Sequence, residues 1–315
     1  MGGSILAAPL VAEAQQPTAK VHRLGLLTPA APQWDTRVFR EAMRGLGYIE
    51  GSNLILDVRS AEGELDQLPS LAIDLVRARP DVIVAVNTPG TRAAIGATKT
   101  IPIVMSVVGD PVATGFVSNL AHPGGNVTGV SNLSGELASK RLSLLKEAVP
   151  TARRIAVMFN SNDPITTPQR KDIERAAPSI GVEVHFFPAR TTAELGSVFE
   201  RMLKWRPDGV LWLAGQQVAL EQPTLELASK SRLPIMPIRV RNTSSGGLLS
   251  YFADNAELIR RTAAYVDKIL KGAKPGDLPV EQPTKFDFVI NLKTAKAIGL
   301  TMPQSLLLQA TEVIE

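Results

Sequence analysis

The chain contains no cysteine in 315 residues, which excludes disulfides, thiolate metal sites, a cysteine nucleophile and a lipid-anchored cysteine. Histidine is nearly as scarce: His22, His122 and His185 lie far apart, and neither HExxH nor any comparable metal-ligand spacing occurs. No Gly-x-Ser-x-Gly elbow is present for a serine hydrolase. No apolar run approaches the roughly 20 residues that a bilayer-spanning helix requires, so direct membrane insertion is not expected. Charge is balanced, with 34 Lys and Arg against 30 Asp and Glu, a net +4. The basic residues are scattered, without the stripe or reading motif that nucleic-acid binding requires. No cofactor motif stands out.

What is present describes a globular protein of about two domains, with 44% hydrophobic and 20% charged residues. Its most informative feature is internal repetition. Arg23-Leu24-Gly25-Leu26-Leu27 is echoed by Arg154-Ile155-Ala156-Val157-Met158, Arg79-Pro80-Asp81 by Arg206-Pro207-Asp208, and Pro102-Ile103 by Pro234-Ile235. The landmarks recur in one order at a spacing of about 130 residues, the mark of a duplicated unit. Two matched α/β lobes leave a cleft between them, and such clefts take small ligands. Residues 1–20 differ from the rest: an apolar run from Ser4 to Val11 and the small-x-small pattern Ala12-Glu13-Ala14 resemble the back half of a secretory signal peptide, cleaved between Ala14 and Gln15. Export to the periplasm is the expectation.

Periodicity predicts strands at Leu24–Leu27, Leu54–Val58, Asp81–Val86 and Ile103–Met105, separated by helices over Thr36–Leu46, Leu65–Ala78 and Thr91–Thr98. The second half repeats this order from Ile155 to Met236. A helix over Glu136–Ala148, a strand over Leu248–Phe252, a helix over Ala256–Leu270 and a strand over Phe286–Ile290 are left over. Leftover elements imply that the chain recrosses between the lobes. The expected fold is α/β: two doubly wound, Rossmann-like lobes with parallel sheets joined by three hinge crossovers. The N-terminal lobe is assigned 21–131 plus 253–280, and the C-terminal lobe 132–252 plus 281–315.

Ligands of open parallel sheets sit beyond the carboxyl ends of the strands. Those ends carry Thr28, Asn87-Thr88-Pro89, Asp110, Asn160 to Asp163 and Gln216. Hydroxyls, amides and two carboxylates suit a polar or zwitterionic small molecule and suit a triphosphate poorly. A helix starting near Thr91 would aim free N–H groups at an anionic group such as a carboxylate. The same residue types are ordinary turn formers and caps, so turn chemistry and ligand contact stay open at each single position. Asp110 and Asp163 are candidates to face each other across the cleft and bind an ammonium group. Trp34, after the first strand, and Tyr251, beside a hinge, are candidates to stack on an aromatic ligand. Trp205 and Trp212 read as packing residues. His122-Pro123-Gly124-Gly125-Asn126 lacks the Gly-Lys-Ser/Thr ending of a phosphate loop and reads as a tight turn.

Further stretches carry a resemblance: Gly-Leu-Gly-Tyr at 45–48, Arg-Pro-Asp-Val-Ile-Val-Ala at 79–85, Gly-Asp-Pro-Val at 109–112, Pro-Gly-Gly-Asn-Val-Thr-Gly-Val-Ser at 123–131, Ile-Leu-Lys-Gly-Ala-Lys-Pro-Gly-Asp-Leu-Pro-Val-Glu-Gln-Pro-Thr-Lys-Phe at 269–286 and Ile-Asn-Leu-Lys-Thr-Ala-Lys-Ala-Ile-Gly-Leu at 290–300. On these the chain resembles the tryptophan/tyrosine-type substrate-binding proteins of ABC transporters, of the type I periplasmic binding protein fold. The resemblance implies a periplasmic receptor, not an enzyme, that closes over a small solute and presents it to an ABC permease in the inner membrane. An aromatic amino acid leads among the solutes. Tyr251-Phe252 stands where the family commonly has Tyr-Gly, and 239–245 departs from its usual form, leaving Arg239 or Arg241 as an alternative carboxylate receptor. A ligand-sensing module for a signalling partner, or a cleft enzyme, would carry the same two lobes.

Overall fold

The computed structural model describes residues 20–30, 34–163, 165–213, 215, 218–237 and 243–315. The leader, Gln216, Arg239 and Arg241 lie outside them. The first lobe begins β1 (His22–Thr28), α1 (Thr36–Gly45), β2 (Leu54–Ser60), α2 (Leu68–Arg77), β3 (Val82–Val86), α3 (Asn87–Ala97), β4 (Ile103–Val108) and β5 (Val127–Ser131). Its five strands form one parallel sheet in the order β2-β1-β3-β4-β5. All five residues of β3, Val-Ile-Val-Ala-Val, are buried, as a strand covered on both faces requires.

The second lobe contains α4 (Ser134–Ala148), β6 (Arg154–Phe159), α5 (Thr166–Ile180), β7 (Glu183–Pro188), α6 (Leu195–Trp205), β8 (Gly209–Trp212), α7 (Val218–Lys230) and β9 (Ile235–Met236). Its sheet order is β7-β6-β8-β9, the order of the first four strands of the other lobe. The repeated landmarks do the same work in both. Asp81 accepts from the Arg23 N–H at 2.8 Å and returns its own N–H to the Arg23 carbonyl. Asp208 accepts from the Arg154 N–H at 2.8 Å and returns its N–H to the Arg154 carbonyl. Arg79 and Arg206, each two residues earlier, both turn left-handed with φ of +50° and +55°. Ile83 N–H bonds Pro102, and Val210 N–H bonds Pro234. The repetition in the sequence is therefore a repetition of structure.

The remaining chain is β10 (Leu249–Ala253), α8 (Asn255–Leu270), β11 (Phe286–Asn291), α9 (Leu292–Ala297), α10 (Gln304–Leu307) and β12 (Glu312–Ile314). β10 pairs antiparallel with β11, and β11 parallel with β12, so the all-parallel expectation needs one amendment. The cause is topological: the chain leaves the second lobe through β10 and re-enters through β11. The Leu248 N–H donates to Ile235, laying this ribbon beside β9. α8 packs Ile259, Ala263, Tyr265 and Val266 into the first-lobe core with Leu26, Phe39, Met43 and Val84. Phe288, Ile290, Met302 and Leu306 join the core of α4, α5 and the second sheet.

The chain therefore passes between cores at 131–134, 253–255 and 281–286, and the passages are bonded side by side. The Ser131 N–H donates to Glu281, the Glu281 N–H to Gly129, and the Asp254 N–H to Lys285. Arg261 on α8 clamps the third passage, donating to Glu281 at 3.1 Å, to the Gln282 carbonyl at 3.3 Å and to Thr284 at 2.8 Å.

Candidate functional site

The carboxyl ends of the first-lobe sheet carry backbone that ordinary residues avoid. Asn87 at the end of β3 has φ +59°, Val107 near the end of β4 has +62°, and Leu133 in the first passage has +54°. Asn tolerates this region, but a β-branched valine held there is strained, on the order of 1–3 kcal/mol. Val107 occupies a bulge at which the β4–β5 register slips between Met105 and Val108. Strain gathered at strand ends facing a cleft is a mark of a functional site.

α3 follows β3 without a loop. Its expected start at Thr91 is corrected to Asn87, because Pro89 falls in the first turn, where its missing N–H is no loss. Gly90 permits the contact with β1: a Cβ there would stand 3.3 Å from the Leu27 carbonyl oxygen. No side chain caps this helix start. The Thr88 hydroxyl, in the first turn, is buried and has no hydrogen-bond partner, while Thr91 beside it donates to Ala85 at 3.2 Å. The start of α3 thus joins the positive end of a helix dipole to an unpartnered hydroxyl at the carboxyl edge of a parallel sheet.

Among the other candidates, Thr28 is buried and donates to the Ala30 carbonyl at 3.2 Å. Pro89 is half-buried. Asp110 accepts the N–H groups of Val112 and Ala113 at 3.1 and 2.9 Å, both on Oδ1, which leaves Oδ2 out of these turn bonds. In the second lobe, Asn160 accepts from Asn162 at 2.9 Å, and buried Asp163 accepts from Ile165 at 3.2 Å. Both aspartates thus shape the turns after their strands. Tyr251 lies on β10 with its ring stacked 5.4 Å from Phe286 and edge-on to Phe288; burial raises its hydroxyl pKa.

Trp34 is corrected. Instead of offering a face to a ligand, it is 1% exposed and packed on Phe39 in the first-lobe core. Its Nε1–H donates to Ser106 at 3.0 Å, Ser106 donates to Thr262 at 2.8 Å, and Thr262 donates to Leu258 at 2.9 Å. The indole is held by α8, more than 200 residues further along the chain, a packing partner that no local pattern announces.

Arg141 was not singled out by sequence and is a principal side chain of this region. It is buried on α4, and its Nη2 donates at 2.7 Å to the carbonyls of Trp212 and Pro237, just where β8 and β9 end. The guanidinium lies 4.5 Å over the Phe252 ring, and its Nε has no partner. No carboxylate is among these contacts. Burial pushes its pKa down to about 9, so it stays cationic at neutral pH. A signal existed: Leu137, Arg141 and Leu145 share one helical stripe, and both leucines are buried.

Residues 33–314 match the sequence pattern of the ABC transporter substrate binding protein family. The chain belongs to this family. It is a family of substrate-binding proteins rather than of enzymes, and the fold is that of the type I periplasmic binding proteins. A tyrosine-binding protein of Clostridioides difficile is 29% identical over 263 residues, covering 83% of this chain and 75% of that protein. A solved ABC domain from Streptococcus pneumonia in complex with L-Trp superposes with TM-score 0.87 at 28% identity, covering 94% of this chain and 100% of that one. A ligand-free, open substrate binding protein from Clostridium difficile superposes with TM-score 0.71 at 26% identity, covering 93% and 99%. Among the described residues, no helix is long and apolar enough to cross a membrane.

Proposed function

We propose that this chain is an exported, periplasmic receptor that captures an aromatic amino acid between its lobes and delivers it unaltered to an ABC permease. Similarity to a tyrosine-binding protein and to an L-Trp complex supports the solute class. In this reading the solute carboxylate meets the start of α3 and the Thr88 hydroxyl, its ammonium meets Asp110 Oδ2, and Asn87, Pro89, Asn160, Asp163 and Tyr251 complete the wall, with Gln216 a further contact proposed from the sequence. The lobes, 21–131 plus 253–280 and 132–252 plus 281–315, close about the three bonded passages, because the solute touches both only when they meet. The better superposition on the L-Trp complex than on the open, ligand-free structure, at similar identity and coverage, supports such a closure.

The observation that carries the reading is the buried, unpartnered Thr88 hydroxyl at an uncapped helix start. Thr88→Val removes that hydroxyl at nearly constant shape. Calorimetry with L-tyrosine and L-tryptophan should show affinity falling about five- to thirtyfold, the effect of 1–2 kcal/mol, while ligand-free stability stays level or rises. A drop in stability with affinity unchanged would make Thr88 a packing residue and remove it from the site. Asp110→Asn keeps the turn acceptor and deletes the charge. It should weaken both amino acids about tenfold or more while leaving ammonium-free aromatic acids unaffected. Equal losses for the two ligand classes would sink the ammonium assignment.

A further inference from the structure

Beside the cleft, the second lobe holds a recess of about 470 Å³ where β6 and β7 end, between the starts of α5 and α6. Among the described residues, three arginines line it, Arg170, Arg190 and Arg201, against one carboxylate, Glu194. Glu194 is already engaged: Arg190 donates to it at 2.8 and 3.1 Å, which lowers the Glu194 pKa and makes that pair neutral. Two guanidinium groups are left with weak partners. Among the described residues, Arg201 hydrogen-bonds the Ser197 hydroxyl alone, at 3.5 Å. Arg170 lies 4.6 and 4.8 Å over the rings of Phe159 and Phe186, stands 4.0 Å from Glu174, and has a buried Nε with no hydrogen-bond partner.

The backbone adds to this charge. α5, 15 residues long, starts in the wall of the recess; its N-cap residue Ile165 makes no side-chain bond to the first turn, and Asp163 accepts the Ile165 N–H from behind. The first turn of α5, with Ser161 and Thr167, therefore lines the same space as Arg170 and Arg201. Aromatic faces hold the Arg170 guanidinium in place, so little conformational freedom remains to be lost when an oxyanion forms bonds with it.

We propose that this recess is a second binding site, specific for a small oxyanion carrying two or more negative charges, distinct from the amino-acid cleft. Planar guanidinium forks and a helix N-terminus match the oxygens of a phosphate group or of clustered carboxylates, whereas the zwitterion expected in the cleft carries one carboxylate and no net charge. The volume admits a small organic phosphate or polycarboxylate.

The probe is inorganic phosphate, titrated calorimetrically against the full chain at constant ionic strength set with chloride, with L-tyrosine absent and then saturating. Saturable phosphate binding is expected in both cases. Arg201→Gln, a change at an exposed position, should weaken phosphate about tenfold, the effect of one charge-assisted hydrogen bond, and leave L-tyrosine affinity within about twofold. Arg170→Gln should do the same, with its circular dichroism compared to the parent chain to establish folding. Phosphate heat no greater than that of chloride would overturn the proposal, as would undiminished phosphate binding by Arg201→Gln. Displacement of phosphate by L-tyrosine would show the recess to be part of the cleft and end its separate status. Failure of L-tyrosine to bind at all would count against the amino-acid reading alone, because the phosphate arm is read without it.

Discussion

Gly129→Ala is expected to lower the unfolding free energy by about 3–5 kcal/mol, the sum of a strained backbone and an overpacked contact. Gly129 sits in β5 opposite Met105 with φ +136°, a conformation that L side chains rarely adopt. A Cβ there would lie 2.0 Å from the Met105 carbonyl oxygen and 2.8 Å from its nitrogen. Both are backbone atoms, so no side chain can swing aside. Relief requires β4 and β5 to separate, and β5 is the strand that leads into the first passage between lobes. The Gly129 carbonyl also accepts the Glu281 N–H of the third passage. The substitution therefore strains the sheet and the hinge together. Against a typical total of about 5–15 kcal/mol, the loss should be plain in the urea midpoint. A change below about 1 kcal/mol would mean that β4 and β5 part easily, and that the tight β4–β5 contact does not stiffen the hinge.

The same strand illustrates what the sequence makes legible. Its Pro-Gly-Gly-Asn-Val-Thr-Gly-Val-Ser run reads as a turn and a connection, and the structure adds the reason the third glycine is required. Asp81 and Asp208 were legible as repeated letters because each carboxylate has the same task, tying the start of its strand to the start of the parallel neighbour. The parallel, doubly wound lobes and the recrossing by the leftover α8 and β11 followed from counting elements. What failed depended on partners remote in sequence. Trp34 follows the first strand, as a cleft ring would, yet Thr262 and Ser106 decide where its indole points. The start of α3 was read four residues late because Pro89 and Gly90 resemble a loop; one is tolerated in a first turn and the other is required by contact with Leu27. The basic recess was illegible because its arginines come from two helices and a loop, 170 to 201, that only the sheet brings together.

Arg141 supplies the second large effect, and here opposing terms must be weighed. Replacing a buried charge by an apolar residue is often harmless when its partner is replaced too, because burying an ion costs several kcal/mol. For Arg141 the partners are the backbone carbonyls of Trp212 and Pro237, which no substitution at 141 can remove. Arg141→Met would leave both without this donor at the ends of β8 and β9. Two charge-assisted bonds at about 1.5–3 kcal/mol each exceed the part of the burial cost recovered, so a net loss of about 2–4 kcal/mol is expected. Arg141→Lys keeps the charge and tests whether charge is what matters. A compact, strongly hydrated ammonium is harder to bury than a guanidinium and cannot span both carbonyls with one fork, so the lysine variant should be no more stable than the methionine variant at pH 7. Its pH response carries a definite sign. Burial pushes the Arg141 pKa down to about 9, and the same burial would depress a lysine's below its ordinary value. A cation with a depressed folded pKa binds more protons unfolded, so stability rises with pH between the folded and unfolded values. Urea midpoints for Arg141→Lys should therefore climb with pH below the ordinary lysine value, whereas any such rise in the parent chain begins only above about pH 9. A lysine variant as stable as the parent at pH 7, with no climb, would show that the site needs a positive charge and not the guanidinium fork.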